Sequence, residues 1–399
     1  MKIGIFTNNY LPNPYGVANS VESFRKKFET LNHEVFIFAP QEKNYLDKNP
    51  RVFRYPSIST NIRFKFSLPI PYSRKLNKFI AETDFEIIHS QHPNLLGTVA
   101  LKWARKKKIT LVFTWHTLYD RYTNFVPFLP SSWVSSWIIK DAVKYANQAD
   151  LVIVPTESII GTLRKWGVTV LIKAVASGVE EALFQNADGL SIKKKFNIKE
   201  DEILLLLISR LTEEKNVEFV FRALIQLLKK NKRIKFLVAG EGYLLPKLKK
   251  LTEEEGLNEK IIFSGLIPKE ELKNYLAAGD IYVGASQSET QGMNLSEAMY
   301  MGLPIVAVKA TGTNSLVKNG ENGLLVAENS PREIASLSLS AKADISQGKN
   351  EFSEAVEKLI NDSDLRKRMS LSSAKIAKEN FTDEVCAKKM LKIYESLIE

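Results

Sequence analysis

Cysteine and histidine are scarce in this 399-residue chain, which has one cysteine, Cys386, and four histidines. A single thiol cannot form an internal disulfide or a thiolate metal cluster. The histidines, at positions 33, 89, 92 and 116, lack the spacing of metal ligands. We therefore expect a protein of a reducing compartment, without a metal site built from cysteine or histidine.

Long hydrophobic runs are also missing. One of the longest, ILLLLIS (203–209), is well short of the roughly 18 residues that a spanning helix needs. Met1 is followed directly by the strand-like KIGIFTNNY rather than by an apolar leader with a small-residue cleavage site. The sequence predicts a cytoplasmic protein with no membrane-spanning segment.

Acidic residues are under-represented in the N-terminal half. Residues 1–176 contain 24 Lys+Arg against 12 Asp+Glu, whereas the rest of the chain is nearly neutral. Such a one-sided field favours an anionic partner, which could be nucleic acid, anionic lipid or an acidic substrate. No recognisable nucleic-acid motif accompanies the charge, so a nucleic-acid-binding protein is the weaker reading.

Short apolar runs alternate with helical patterns in two successive series. Strands separated by helices of this length indicate parallel sheets buried on both faces. We expect an α/β chain of two facing Rossmann-like, doubly wound domains, with a ligand cleft between them at the carboxyl ends of the strands. The runs are KIGIFT (2–7), EVFIFAP (34–40), EIIHSQ (86–91), TLVFTWH (110–116) and LVIVPT (151–156), then EILLLLISRL (202–211), IKFLVAGEG (234–242), KIIFSGL (260–266), DIYVGAS (280–286), PIVAVKA (304–310) and GLLVA (323–327).

The domain boundaries are predicted from breaks in this pattern. Gly178 precedes a new first strand, so we expect an N-terminal domain over 1–177 and a C-terminal domain over 178–382. A last helix over 383–399 follows a break at Asn380. The polar, Ser-rich stretch 336–350 is predicted to be a surface excursion.

Two acids, Glu289 and Glu297, stand on either side of Gly292 where a strand turns into a helix. Orphan backbone N–H groups at such a turn bind an anion or a hydroxyl-rich group. Carboxylates accept paired hydrogen bonds from vicinal hydroxyls, and a sugar nucleotide carries two such sets. The alternative is a purely structural role, in which each acid stabilises the helix through its dipole by at most about 1 kcal/mol.

Two cations, Arg210 and Lys215, stand in one loop after the strand that ends ISRL. Together they suit a diphosphate whose charge grows as the bond to it breaks. The bland alternative is a solvated loop in which Glu213 and Glu214 are their partners.

His116 follows a strand and is expected at the carboxyl edge of the first sheet, where it could hydrogen-bond a sugar or act near the reacting carbon. His33 and His89 are interpreted as structural, and His92 fits either role. Gly16, between the first strand and first helix, lets backbone approach a ligand closely. Neither the Gly16 loop nor AGEGYL (239–244) is GxGxxG, so a dinucleotide redox enzyme has little support.

In this order along the chain, these motifs resemble the retaining glycosyltransferases of family four, which have the GT-B fold. The resemblance covers essentially the whole chain, because it rests on the Gly16 loop and on TWHT, RLTEEKN, FSGLIPKEELKNYLAAGD, ETQGMNLSE and GENGLLV. It implies that the last helix crosses back to the N-terminal domain.

The resemblance also implies the site residues of a nucleoside-diphosphate sugar. Arg210 and Lys215 would contact the diphosphate, Glu297 the ribose, and backbone near Ile267 the base. His116 would contact the hexose near its anomeric carbon. The group implied to hold the rest of the hexose is Glu289 with the main chain of Thr290, Gln291, Gly292, Met293, Asn294 and Leu295. The resemblance further implies that the cations and helix N-terminus replace a metal, so that no metal or cofactor is needed besides the nucleotide-sugar donor.

Within the family, three stretches look like diacylglycerol glucosyltransferases: GVANSVESF, HTLYDRYTNFVPFLP (116–130) and SETQG. Tyr119 and Tyr122 are acceptor candidates. The basic half, with RKKK (105–108), RFKFSLPIPYSRKLNKF (63–79) and WVSSW (133–137), suits the anionic inner face of a cell membrane, to which the protein would bind peripherally.

The chain departs from the family pattern in KATGTNSL (309–316), where many relatives have a glycine-rich turn, and in the polar Asn294 and Ser296. Glucose and mannose donors both remain open, as do another lipid or a soluble acceptor. A sugar-nucleotide sensor without catalysis is disfavoured because the acids, cations and His116 are all present. The sequence gives no oligomeric state.

Overall fold

The computed structural model describes residues 1–13, 16–60, 66–118, 131–286, 289–327 and 351–398. The chain forms two compact units, one of Met1–Gly178 with Thr382–Glu399 and one of Val179–Phe381. The predicted surface excursion at 336–350 lies outside the described residues.

The first unit contains a seven-stranded parallel sheet in the order β3-β2-β1-β6-β7-β8-β9. Ile3 pairs with Val35 on one side and with Ile87 on the other, so the order reverses between β1 and β6. The strands are β1 (Lys2–Phe6), β2 (Glu34–Pro40), β3 (Val52–Tyr55), β6 (Ile87–Ser90), β7 (Thr110–Thr114), β8 (Leu151–Val154) and β9 (Leu171–Ala174), and β4 (Ser57–Thr60) with β5 (Phe66–Pro69) forms a separate antiparallel hairpin.

The second unit contains a six-stranded parallel sheet in the order β12-β11-β10-β13-β14-β15. β10 pairs with β11 on one side and with β13 on the other, which places the reversal of strand order between β10 and β13. The strands are β10 (Ile203–Ile208), β11 (Ile234–Ala239), β12 (Ile261–Gly265), β13 (Ile281–Gly284), β14 (Ile305–Val308) and β15 (Gly323–Val326).

Helices cover both sheets, which explains why central strands such as LVIV of β8 are apolar at every position. The first unit has α1 (Gly16–Thr30), α2 (Arg74–Glu82), α3 (Leu96–Lys107), α4 (Ser131–Ala146), α5 (Ile160–Trp166) and the last helix α14 (Asp383–Ile398). The second has α6 (Gly189–Lys195), α7 (Val217–Lys230), α8 (Leu245–Glu254), α9 (Leu272–Ala278), α10 (Met293–Tyr300), α11 (Thr311–Leu316), α12 (Glu351–Asn361) and α13 (Ser363–Asn380).

The last helix belongs to the core of the first unit. Tyr394 of α14 is fully buried, its ring packs edge-on against Phe28 of α1, and its hydroxyl lies 2.5 Å from Nδ1 of His89. A residue 305 positions away in sequence therefore completes the first sheet's covering layer.

Gly178 lies where the chain leaves the first unit and Asp383 lies where it returns. A Cβ on Gly178 would lie 2.3 Å from Cα of Asp383, so this crossing is packed backbone against backbone. Val179 N–H then donates to the carbonyl of Phe381. Lys27 of α1 holds the Asp383 carboxylate at 3.3 Å.

Gly178→Ala should therefore lower the free energy of unfolding by about 1–3 kcal/mol, because rigid backbone must shift to accept the methyl group. Gly161→Ala is the matched control, since its Cβ would meet no atom within 4 Å. Urea unfolding of both variants checks this. Equal stability of Gly178→Ala and wild type would contradict the packed crossing.

Candidate functional site

The second sheet brings the acids and cations singled out from the sequence to the edge where its strand order reverses. Ligands of doubly wound sheets bind outside the carboxyl ends of the strands at this reversal. Arg210 and Lys215 follow β10, and the segment from Glu289 to Asn294 follows β13. Two loops far apart in sequence therefore meet because β10 and β13 are neighbours.

Lys215 joins these loops directly. Its ammonium Nζ donates to Oε1 of Glu289, and both side chains are mostly buried. Arg210 pairs instead with Glu214, at 3.2 Å between Nη2 and Oε1. The alternative in which an acid of the same loop is the partner therefore holds for Arg210. Lys215 instead pairs with a residue 74 positions away in sequence.

Helix α10 begins without a side-chain cap. Gly292, with φ 84°, caps the helix without a side-chain hydrogen bond, and the N–H of Leu295 returns to the Gly292 carbonyl. Asn294 donates from Nδ2 to the carbonyl of Ile208, 2.7 Å away, so this polar residue ties the helix start to the end of β10. Gln291 is buried and donates to Oγ of Ser296.

Gly312, in the segment KATGTNSL (309–316), supports the same turn. Its N–H donates to the carbonyl of Glu289 at 3.1 Å. A Cβ at this position would lie 2.6 Å from that oxygen. Sequence analysis did not single out Gly312, because only the fold places α11 against residues 289–291.

Glu297 lies one turn into α10 and has a different environment from Glu289. Burial raises its pKa to about 7, while Lys269 lowers it and Glu180 raises it further. Lys269 itself pairs with Glu180, 2.7 Å away. Near neutral pH Glu297 can therefore donate a hydrogen bond as an acid or accept two as a carboxylate.

Two hydroxyls at this edge, Thr212 Oγ1 and Ser286 Oγ, are buried without a hydrogen-bond partner in the part of the chain that the structure describes. Buried polar atoms are nearly always hydrogen-bonded, so such atoms are typical of a site that a ligand or water completes. Ile267, predicted to lie near a base, follows β12 and packs partly buried against the core.

His116 belongs to the first unit, in the segment after β7. Its Nε2 lies 2.7 Å from Oε1 of Gln91, which follows the neighbouring strand β6. Burial, and then the nearby His92 and His89, lower the pKa of His116 to about 3. The ring is therefore neutral at physiological pH.

The other histidines of this edge have structural contacts. His89 lies between Thr114 and Tyr394, with its Nε2 2.6 Å from Oγ1 of Thr114. His92 accepts the backbone N–H of Asn8 at Nδ1, and burial lowers its pKa to about 4. Gly16 is the exposed first residue of α1. Tyr119 and Tyr122, the acceptor candidates, lie outside the described residues.

The geometry defines a doubly wound α/β protein with a cationic and acidic site at one sheet edge, and comparison with known proteins gives its family. Residues 14–183 match Glycosyltransferase Family 4, and residues 189–346 match Glycosyl transferases group 1. The chain belongs to the family 4 glycosyltransferases, as the sequence motifs predicted.

Curated relatives include two proteins named alpha-monoglucosyldiacylglycerol synthase. The one from Streptococcus pneumoniae (strain ATCC BAA-255 / R6) is 30% identical over 338 residues, which cover 82% of this chain and 75% of that one. The one from Acholeplasma laidlawii is 28% identical over 341 residues, which cover 82% and 85%.

A solved structure, Anabaena Alr3699/HepE in complex with UDP, has the same fold with a TM-score of 0.75. Its sequence is 17% identical, and the match covers 99% of this chain and 100% of that one. The predicted GT-B fold is confirmed.

The raised pKa of Glu297 predicts a pH-dependent stability difference. A folded-state pKa near 7 means that the folded chain keeps a proton that the unfolded chain loses above about 4.5, so this residue costs stability as pH rises through that window. Glu297→Gln should match wild type at pH 4 and exceed its unfolding free energy by on the order of 2–3 kcal/mol at pH 8. Glu357→Gln, at an exposed position of α12, is the control. Thermal unfolding at both pH values measures this difference. A difference that does not change with pH would contradict the raised pKa of Glu297.

Proposed function

We propose that this glycosyltransferase moves glucose from UDP-glucose to 1,2-diacylglycerol, with retention of configuration, and so makes an α-linked glycolipid. The observation that carries the donor assignment is the contact of Lys215 with Glu289 where the second sheet reverses its strand order. The names of the two synthases support the choice of sugar and acceptor.

The cations are assigned to the leaving group. Lys215 and Arg210 neutralise the diphosphate as negative charge develops on it, and the uncapped start of α10 adds its main-chain donors. Lys215 is already held in place by Glu289, so little reorganisation is needed when phosphate replaces part of that contact.

The acids are assigned to the two sugars. Glu289 and the main chain from Thr290 to Leu295 hold the hexose, and Glu297 holds the ribose. Backbone near Ile267 contacts the base. Because the pKa of Glu297 is near 7, hydrogen bonds donated by the ribose hydroxyls can shift this side chain to its carboxylate form.

The transfer proceeds on one face of the sugar. The bond from the anomeric carbon to the diphosphate oxygen breaks, the acceptor hydroxyl oxygen bonds to that carbon from the same side, and the hydroxyl proton passes to the departing diphosphate. His116 contacts the hexose near this carbon and Gly16 allows close approach of backbone. Charge balance at the diphosphate comes from Lys215 and Arg210, and the reaction proceeds without a metal or cofactor.

The acceptor is proposed to come from the anionic inner face of the cell membrane, to which the protein binds peripherally. No helix among the described residues is long and apolar enough to cross a membrane. The hairpin β4–β5 and the turn after it expose Ile58, Leu68, Ile70 and Tyr72, the last to 65%. Exposed Arg74, Lys75 and Lys78 follow on α2.

The other stretches predicted to contact the membrane, WVSSW (133–137) and RKKK (105–108), contain both exposed and engaged side chains. Trp137 of α4 is 70% exposed. Of the RKKK run, Lys107 donates to the carbonyls of Ala81 and Thr83 at the end of α2, so it is engaged inside the unit. Arg105, Lys106 and Lys108 remain exposed.

The direct test incubates purified protein with radiolabelled UDP-glucose and vesicles that contain diacylglycerol. Label in the chloroform-extractable product that requires diacylglycerol supports the proposal. Hydrolysis of UDP-glucose without labelled lipid would overturn the acceptor, and transfer only from GDP-mannose would overturn the donor.

Lys215→Ala should reduce turnover about 10- to 100-fold, because it removes a charge-assisted contact worth about 1.5–3 kcal/mol to the leaving group. Lys250→Ala, at an exposed position in the same unit, is the control. Steady-state assay of both variants checks this. Unchanged turnover in Lys215→Ala would remove its role at the diphosphate.

Binding to anionic vesicles should weaken as salt rises, because screening reduces the attraction of the basic surface. Ile70→Ser with Tyr72→Ser should weaken binding further by removing apolar insertion, whereas Leu371→Ser on α13 should not. Vesicle co-sedimentation measures the binding of wild type across the salt series and of both variants. Salt-insensitive binding would exclude the basic-face account.

A further inference from the structure

We propose that Gln91 is a positioning residue for His116, which fixes the orientation of the imidazole ring and keeps the ring proton on Nε2. This inference rests on the proposed function, in which His116 contacts the hexose near the anomeric carbon. Gln91 is not among the residues that the sequence motifs indicated.

The backbone of Gln91 is fixed by the strands of the first sheet. β6 and β7 are paired neighbours, with His89 opposite Val112 and Ser90 opposite Phe113. Gln91 directly follows β6, and its backbone N–H donates to the carbonyl of Phe6 at 2.9 Å. The side chain thus starts from a backbone position that the first sheet fixes at its reversal of strand order.

The side chain of Gln91 is itself constrained. The residue is 5% exposed, and its Oε1 lies 2.7 Å from Nε2 of His116. An amide oxygen can only accept a hydrogen bond, so Nε2 must carry the proton. Gln91 thereby selects one of the two neutral tautomers.

An amide at this position orients the ring without charging it, whereas a carboxylate would favour the imidazolium. The titratable groups whose charges act on His116 are His92 and His89, and Tyr394 faces the same pocket through its contact with His89. Burial lowers the pKa of both histidines and raises that of Tyr394, so all three are uncharged near pH 7. Among the described residues, the titratable neighbours of His116 named above therefore carry no negative charge that would hold a second proton on its ring.

A neutral ring suits the proposed reaction. When the bond to the diphosphate breaks, positive charge develops at the anomeric carbon, as in other glycosyl transfers through oxocarbenium-like transition states. An imidazolium nearby would repel that charge, whereas a neutral imidazole of fixed tautomer can hydrogen-bond a sugar hydroxyl. Gln91 therefore favours turnover through the tautomer and orientation of the His116 ring.

The test uses full-length protein labelled with ¹⁵N-histidine, which has only four histidines to resolve. In wild type, the His116 signals should show the Nε2–H tautomer without titration between pH 5 and 8. In Gln91→Glu the ring should titrate in that range, and kcat should rise about tenfold from pH 6 to pH 8 as the ring loses its proton. In Gln91→Leu both tautomers should appear, with kcat reduced about tenfold at every pH.

Gln41→Glu, an exposed position of the same unit, is the charge control and should leave the signals and the pH profile unchanged. His116 signals that are identical in wild type, Gln91→Glu and Gln91→Leu would overturn the inference even if lipid is glucosylated. If the signals change as expected but no UDP-glucose is transferred, the positioning of His116 stands and the proposed function fails.

Discussion

The contact between Lys215 and Glu289 is the interaction on which the proposed donor site depends. The two side chains are only 12% and 26% exposed, and neither charge could be left alone at that depth without a large desolvation cost. Their pairing therefore draws the loop after β10 to the loop after β13. In the proposed reaction it also keeps a cation in place before the phosphate binds, which is the preorganisation that electrostatic stabilisation of a leaving group requires.

Both units apply the same topological rule. In the sheet of each unit the strand order reverses once. Lys215, Glu289 and Gln91 follow strands that flank this reversal, and His116 follows the next strand, β7. In the second unit the reversal brings together two charged loops that Gly312 and Asn294 support through the main chain. In the first it places uncharged groups, Gln91 and His116, in hydrogen-bond contact. The contact in the second unit lies among charged side chains, and the contact in the first joins two uncharged ones.

The elements with strong periodicity were predictable from sequence, because buried parallel strands are apolar throughout. ILLLLI became β10 and LVIV became β8 within a few residues of their predicted bounds. The sequence analysis missed β3, β9 and the hairpin β4–β5, since short strands leave little periodicity. It proposed Lys215, Glu289 and His116 from motifs. It could not single out Gln91 or Gly312, since their contacts are with neighbours that only the fold brings near.

The most direct test of the account is calorimetric titration of wild type and Glu289→Gln with UDP and with UDP-glucose. If Glu289 holds the hexose while Lys215 holds the diphosphate, the variant should keep most of its affinity for UDP and lose the additional affinity that glucose provides. Equal loss of affinity for both ligands would place Glu289 on the nucleotide instead. No binding of either ligand to wild type would contradict a nucleotide-sugar site at this edge.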